Sequence, residues 1–152
     1  MRNEIEAGIH IPFVALWGGL LGLIPFWGLA LLGTFNERVP SIVLFNYLAN
    51  YSALIVSFLG AIWWGLALSQ SNVHLRNFMF GWGLAPCVSA WFTLGLPTAT
   101  ALFVFAFLLV LQLLMDYVFL WRTRTVSYWV WCLRRLLTVL AVPALLMAAF
   151  QL

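Results

Sequence analysis

Between Arg38 and Arg76 the sequence carries no charged side chain. An apolar stretch of that length crosses a hydrocarbon core of about 30 Å with residues to spare, because about 20 apolar residues suffice for one helical crossing. Within it, Ala49, Ala53, Ser57, Ala61, Gly65 and Ser69 recur every four residues. On a helix such a row is a shallow groove in which a second backbone can settle, so the row reads as a packing surface.

The rest of the chain has the same character. Of 152 residues, 65% are hydrophobic and 7% charged, and mean hydropathy is +1.06. Soluble domains carry about 25% charged residues, and a soluble fold could not hide this much apolar surface. Gly, Pro, Asn and Arg punctuate the chain into five apolar runs, at residues 12–34, 42–69, 78–96, 99–121 and 128–151. The expected fold is therefore all-α: a single transmembrane domain, polytopic, a bundle of five transmembrane helices. The polar start MRNEIEAGIHIP leads into an apolar run without a small-residue cleavage site, so no removable signal peptide is expected.

Pro12 opens the first helix at a position where the missing N–H costs little. Gly18 and Gly22 form a GxxxG face there, and Pro25 should kink the helix near mid-membrane. In the third run Gly81, Ala85, Ser89 and Thr93 repeat the four-residue spacing of the second, which pairs these two helices face to face. The turn Gly95-Leu96-Pro97-Thr98 is short enough to demand an antiparallel hairpin, with Thr98 as N-cap.

Orientation follows from the arginines. With five spans, Arg2, Arg76, Arg122, Arg124, Arg134 and Arg135 fall on one side and Arg38, beside Glu37, on the other. That asymmetry places the N-terminus in the cytoplasm of a bacterial inner membrane and the C-terminus in the periplasm, or the equivalent in a mitochondrial inner membrane. Seven of the nine tryptophans, at 17, 63, 64, 82, 121, 129 and 131, then lie towards the cytoplasmic half, most of them as interfacial anchors. The net charge of +3 comes from seven arginines against four acids. Residues that set topology do not make a nucleic-acid surface, so the expected partner is the lipid bilayer.

Few residues could carry chemistry. Asp116 precedes Arg122 by six residues, and Arg134 follows Ser127 by seven, so both stand roughly 10 Å below one membrane surface. An ionised Asp near hydrocarbon is costly alone, and a pair with Arg134 or Arg135, supported by Gln112, is the favourable arrangement. Such a pair can lock two helices together or serve as a proton- or ligand-linked carboxylate. Asn46 and Asn50, with Tyr47, Tyr51 and Ser52, should face the bundle, as interhelical glue or as the wall of a polar pocket. Cys87 and Cys132 read as small packing residues, with a disulfide or metal pair as the alternative. His10 and His74 lie in polar stretches without an HxxxH, HExxH or Cys/His cluster, and GxSxG, P-loop and GxGxxG motifs are absent. No enzyme activity, cofactor or metal is expected.

SFLGAIWWGLAL (57–68), WGLAPCVSAW (82–91), Gln112 with Asp116, and WVWCLRRLLT (129–138) come in an order and spacing that resembles the transmembrane protein 69-like family, a domain of unknown function. The resemblance covers nearly the whole chain. It departs from the family pattern at Trp63, where His or Arg is frequent, and at Val130, where Tyr is usual. It implies a small polytopic protein of bacterial inner or mitochondrial membranes and attaches no activity. Two readings remain: a structural, accessory or assembly component that packs with itself, as a homo-oligomer, or with a larger membrane complex, and a small transporter or channel-like protein that uses Asn46, Asn50 and Asp116.

Overall fold

The computed structural model describes residues 11–36, 38–121 and 126–152. Arg2, His10, Glu37, Arg122 and Arg124 lie outside the described residues. All regular structure among those described is helical: α1 (Phe13–Phe35), α2 (Ser41–Leu68), α3 (Val73–Thr93), α4 (Thr98–Met115, continued by a π-helical turn at Asp116–Trp121) and α5 (Tyr128–Ala149). Four helices are long and apolar enough to cross a membrane: α1, α2, α4 with its π turn, and α5. α3 is not among them, so the crossing of all five goes beyond this count.

α3 begins at Val73 rather than at residue 78, and the cause is local. The Asn72 side chain accepts from the backbone N–H groups of His74 (3.0 Å) and Leu75 (3.2 Å), which satisfies two of the orphan donors of a first turn. Polar VHLRN is thus helical because it is capped. At α4 the expected cap is replaced: Pro97 takes the N-cap position with no side-chain bond, and Thr98 is the first helical residue, its hydroxyl bonded to Asn46 Oδ1.

α1, α2, α4 and α5 form a ring in which α1 touches α2 and α5, and α4 touches α2 and α5. α3 lies mainly against α2, with a smaller contact on α4. The pairing of α2 with α3 does not follow the four-residue rows along their length. Each four-residue step overshoots a full turn by about 40°, so a row of five steps swings about 200° around the helix. Accordingly Ala49 and Ala53 are buried and Ser57 is half-buried, while Ala61 and Gly65 are exposed; on α3 Gly81 and Ala85 are exposed, Ser89 is half-buried and Thr93 is buried. The buried stripes alternate steps of three and four, which stay on one face: Ala53, Val56, Gly60, Trp63 and Ala67 on α2, and Met79, Gly83, Pro86, Ala90 and Thr93 on α3. They meet backbone to backbone at Gly60 and Gly83, where a Cβ on Gly60 would stand 2.6 Å from the Gly83 carbonyl oxygen.

The prolines inside α1 and α5 are each preceded by the same device. Tyr51 Oη donates to the Gly22 carbonyl (2.8 Å), three residues before Pro25, and Trp27 Nε1 donates to the Leu140 carbonyl (3.0 Å), three before Pro143. Side chains of neighbouring helices thereby serve the turns that proline loosens. The GxxxG face is not a contact face: a Cβ on Gly18 would meet nothing within 4 Å, and one on Gly22 only Tyr51 Oη at 3.6 Å.

Candidate functional site

The polar constellation sits where α2 ends, α4 turns π-helical and α5 begins. Gln112 and Asp116 follow each other by one turn on the inner face of α4, and the wider π turn that starts at Asp116 keeps Asp116 and Leu120 both buried. Arg134, two turns into α5, reaches the carboxylate from one side: Nε donates to Oδ2 at 2.7 Å and Nη2 donates to the same oxygen. From the other side Trp63 Nε1 donates to Oδ1 at 2.8 Å. The side chains of Asp116 and Arg134 are only 8% and 12% exposed, so the ion pair is shielded on both sides and hydrogen-bonded at both carboxylate oxygens. Those are the conditions under which burying two charges is tolerable.

Trp63 is the partner that sequence reasoning missed. Far from being an interfacial anchor, it is 1% exposed. Phe78, Trp82 and Phe119 surround it edge to face at ring-centroid distances of 6.4, 6.2 and 6.1 Å. Two signals pointed to it: its place on the three-and-four stripe of α2, and the departure from the family pattern at this position. An indole N–H stands there instead of a basic side chain, so Arg134 is the only cation bonded to Asp116 among the described residues.

The other expected members fall elsewhere. Gln112 does not support the ion pair; its Nε2 donates to the Val56 carbonyl (2.9 Å), which ties α4 to α2, and its buried Oε1 has no partner among the described residues. Arg135 is exposed. Asn46 and Asn50 are exposed near the start of α2; Asn46, beside Thr98, is about 27 Å from Asp116 by the rise of α4, and Asn50, one turn further on, about 20 Å. The structure therefore does not bring them together with Asp116. Cys87 and Cys132 are free thiols on α3 and α5, and His74 is exposed in the first turn of α3.

Two cavities adjoin Arg134. A small one of about 30 Å³, lined by Ile62, Asp116, Val130 and Trp131, is large enough for one water. A larger one of about 610 Å³ runs between α1, α2 and α5. Chemically, the cluster can hold three helices in register, and it holds its carboxylate between one cation and one neutral donor.

Comparison with known proteins agrees with the resemblance in the sequence. The chain is similar to transmembrane protein 69 of Xenopus tropicalis, 35% identical over 95 residues, a stretch that covers 62% of this chain and 37% of that relative's length. No solved structure matches it. Residues 11–150 match the family model described as "Protein of unknown function (DUF3429)", and the chain, an apolar helical membrane protein, belongs to that family.

Proposed function

We propose that the protein is a non-enzymatic component of its membrane, a structural, accessory or assembly subunit that works by helix packing against a second copy or a larger complex. The observation that carries this reading is how its buried polar groups are used. Asp116 is bonded to α2 and α5, Gln112 to α2, Tyr51 to α1 and Trp27 to α5, so each joins one helix to another. A surface for association is supported by the exposed small residues Ala61, Gly65, Gly81 and Ala85, where a Cβ on either glycine meets nothing within 4 Å. Helices approach each other in lipid through residues of this kind.

Five crossings fit this reading, with the N-terminus cytoplasmic and the C-terminus periplasmic in a bacterial inner membrane. α3 has 21 residues, about 30 Å at 1.5 Å each, and it lies along α2. A reporter fused after Leu152 should behave as exported, and cytoplasmic activity there overturns the orientation. For the function itself, purification from native membranes in mild detergent should bring down a partner or a dimer. Gly65→Leu with Gly81→Leu should release it without lowering thermal stability; unchanged co-purification would count against association through these faces.

A second reading, a small transporter with a proton- or ligand-linked Asp116, draws on the π turn that starts at this residue, since such turns are frequent at functional sites. Its version with Asn46 and Asn50 has to bridge about 20–27 Å. The double variant Asp116→Asn with Arg134→Gln separates the two: a structural pair keeps its cellular role once stability is restored, and a working carboxylate loses it.

A further inference from the structure

The cavity of about 610 Å³ between α1, α2 and α5 has the size of a small-molecule site, which is about 300–1,000 Å³. It lies beside the first turns of α1, where Gly19 is the residue close against α5, a Cβ there standing 2.8 Å from Leu137 Cδ1. The buried residues of α1 are Leu23, Phe26, Ala30 and Gly33, whereas Phe13, Val14 and Trp17 in the first half are at least half exposed. Three glycines, Gly18, Gly19 and Gly22, line the wedge on α1, facing Phe58 and Ile62 of α2 and Leu137 of α5. At Gly18 a Cβ would touch nothing, so the absent side chain leaves room and is not used for contact.

The walls are apolar apart from Arg134 and Thr138. Arg134 gives Nε and Nη2 to Asp116, and among the described residues its Nη1 has no protein acceptor. Its charge is already balanced by Asp116, so a second anion beside it would lack a counter-charge at this depth. A neutral acceptor such as an ester carbonyl suits it. In hydrocarbon an empty wedge forfeits dispersion contacts along all its walls, and the apolar material at hand there is the lipid chain.

We infer that this wedge is a lipid site, which takes one acyl chain of a membrane glycerolipid between α1, α2 and α5 with its ester oxygen at Arg134. The headgroup charge plays no part in the recognition.

The full chain, reconstituted in phosphatidylcholine vesicles doped with a phosphatidylcholine that carries a diazirine in its acyl chain, tests the assignment. Irradiation should label peptides covering 13–26 and 129–141 saturably, at one lipid per chain, and well above the exposed face of α3 around Leu84 and Trp91. Gly18→Leu, and independently Ala15→Leu, should lower that labelling about tenfold, the equivalent of about 1.4 kcal/mol in affinity, with the melting temperature unchanged. Labelling spread evenly over the lipid-facing surface would overturn the site, and so would unaltered labelling in both variants. If neither variant folds, the saturation and peptide map of the unmodified protein decide. A Gly18→Cys chain that cross-links to a second copy would assign the wedge to an interface and overturn a lipid occupant. Labelling that appears only with anionic headgroups would overturn the neutral contact to Arg134.

Discussion

The half of the bundle where α2 and α4 begin is packed from Phe45, Leu48, Ala49, Leu102, Phe105, Ala144, Leu145 and Ala148, all at most 5% exposed. Small residues there receive large ones: the Phe45 ring occupies the space where a Cβ of Gly33 would be. The opposite half, where α2 and α4 end, is held by the Asp116 bonds to Trp63 and Arg134 within a sleeve of aromatic rings, and α1 stands away from it by a wedge of about 610 Å³. In lipid, helices gain nothing by hiding apolar surface from water, and their cohesion comes from dispersion and interhelical hydrogen bonds. The first half has the Thr98–Asn46 and Trp27–Leu140 bonds at its edges, but its core is held by dispersion and must fit closely. A half with directional bonds stays in register with a gap beside it.

The largest effect is expected where a single change strips the directional half of its charge balance. Asp116→Asn leaves Arg134 shielded without a counter-charge. Breaking a buried pair costs about 3–5 kcal/mol in soluble proteins, and about 2.5–3.5 kcal/mol is the insertion cost of a central charge in a membrane helix. A loss of about 3 kcal/mol in detergent unfolding is therefore expected, with much of it recovered by Arg134→Gln. No recovery in the double variant would mean that the bonds, and not the charge, hold this half.

The next effect belongs to the backbone contact between α2 and α3. Gly60→Ala puts a Cβ at 2.6 Å from the Gly83 carbonyl oxygen and 3.2 Å from Pro86, and a carbonyl in a helix cannot swing aside as a side chain would. The cost should approach the upper end of the about 1–3 kcal/mol typical of overpacking. Ala61→Leu, one residue on and exposed, should stay within about 0.5 kcal/mol, as surface changes do. Equal losses would put the contact on the four-residue row after all.

That pair of residues marks where the sequence was legible and where it was not. Apolar length and punctuation identify the helices, because both survive any arrangement of the bundle, and the depth arithmetic puts Asp116 and Arg134 at one level. The packing face was misjudged because a strict four-residue row drifts around the helix while the buried stripe of three-and-four steps does not. Asn72 hid the start of α3 inside a polar run that reads as loop until its cap is seen. The bond from Trp63 to Asp116 spans 53 positions, and no local pattern carries such information.

One substitution made in both halves of α1 sharpens the comparison. Gly33→Ala collides with the Phe45 ring, an obstacle that can shift, so about 1 kcal/mol is expected, the lower end of overpacking. Gly18→Ala meets nothing within 4 Å and should be neutral or stabilising, because Gly in a helix interior costs up to about 1 kcal/mol relative to Ala. Thermal unfolding of the two variants, one lowered and the other not, is the expected outcome; equal melting would remove the contrast between a filled and an open half.

The smallest effect tests what limits the opening of α1. Tyr51→Phe deletes the hydroxyl that donates to the Gly22 carbonyl at 2.8 Å and keeps the ring, whose edge contact with Phe26 has a centroid distance of 5.2 Å. Interhelical hydrogen bonds in membranes average about 0.6 kcal/mol, so global stability should fall by about that amount. The consequence should nevertheless be local. Pro25 already denies the Leu21 carbonyl its helical N–H, and without Tyr51 the next carbonyl, that of Gly22 in the wall of the wedge, loses its bond across to α2. Hydrogen exchange should then quicken in the first half of α1. Trp27→Phe, which removes the bond to Leu140 beyond that point, should leave the first half unchanged. If both variants quicken the same amides, the two halves of α1 open as one unit, and the boundary of the wedge is not set by Tyr51.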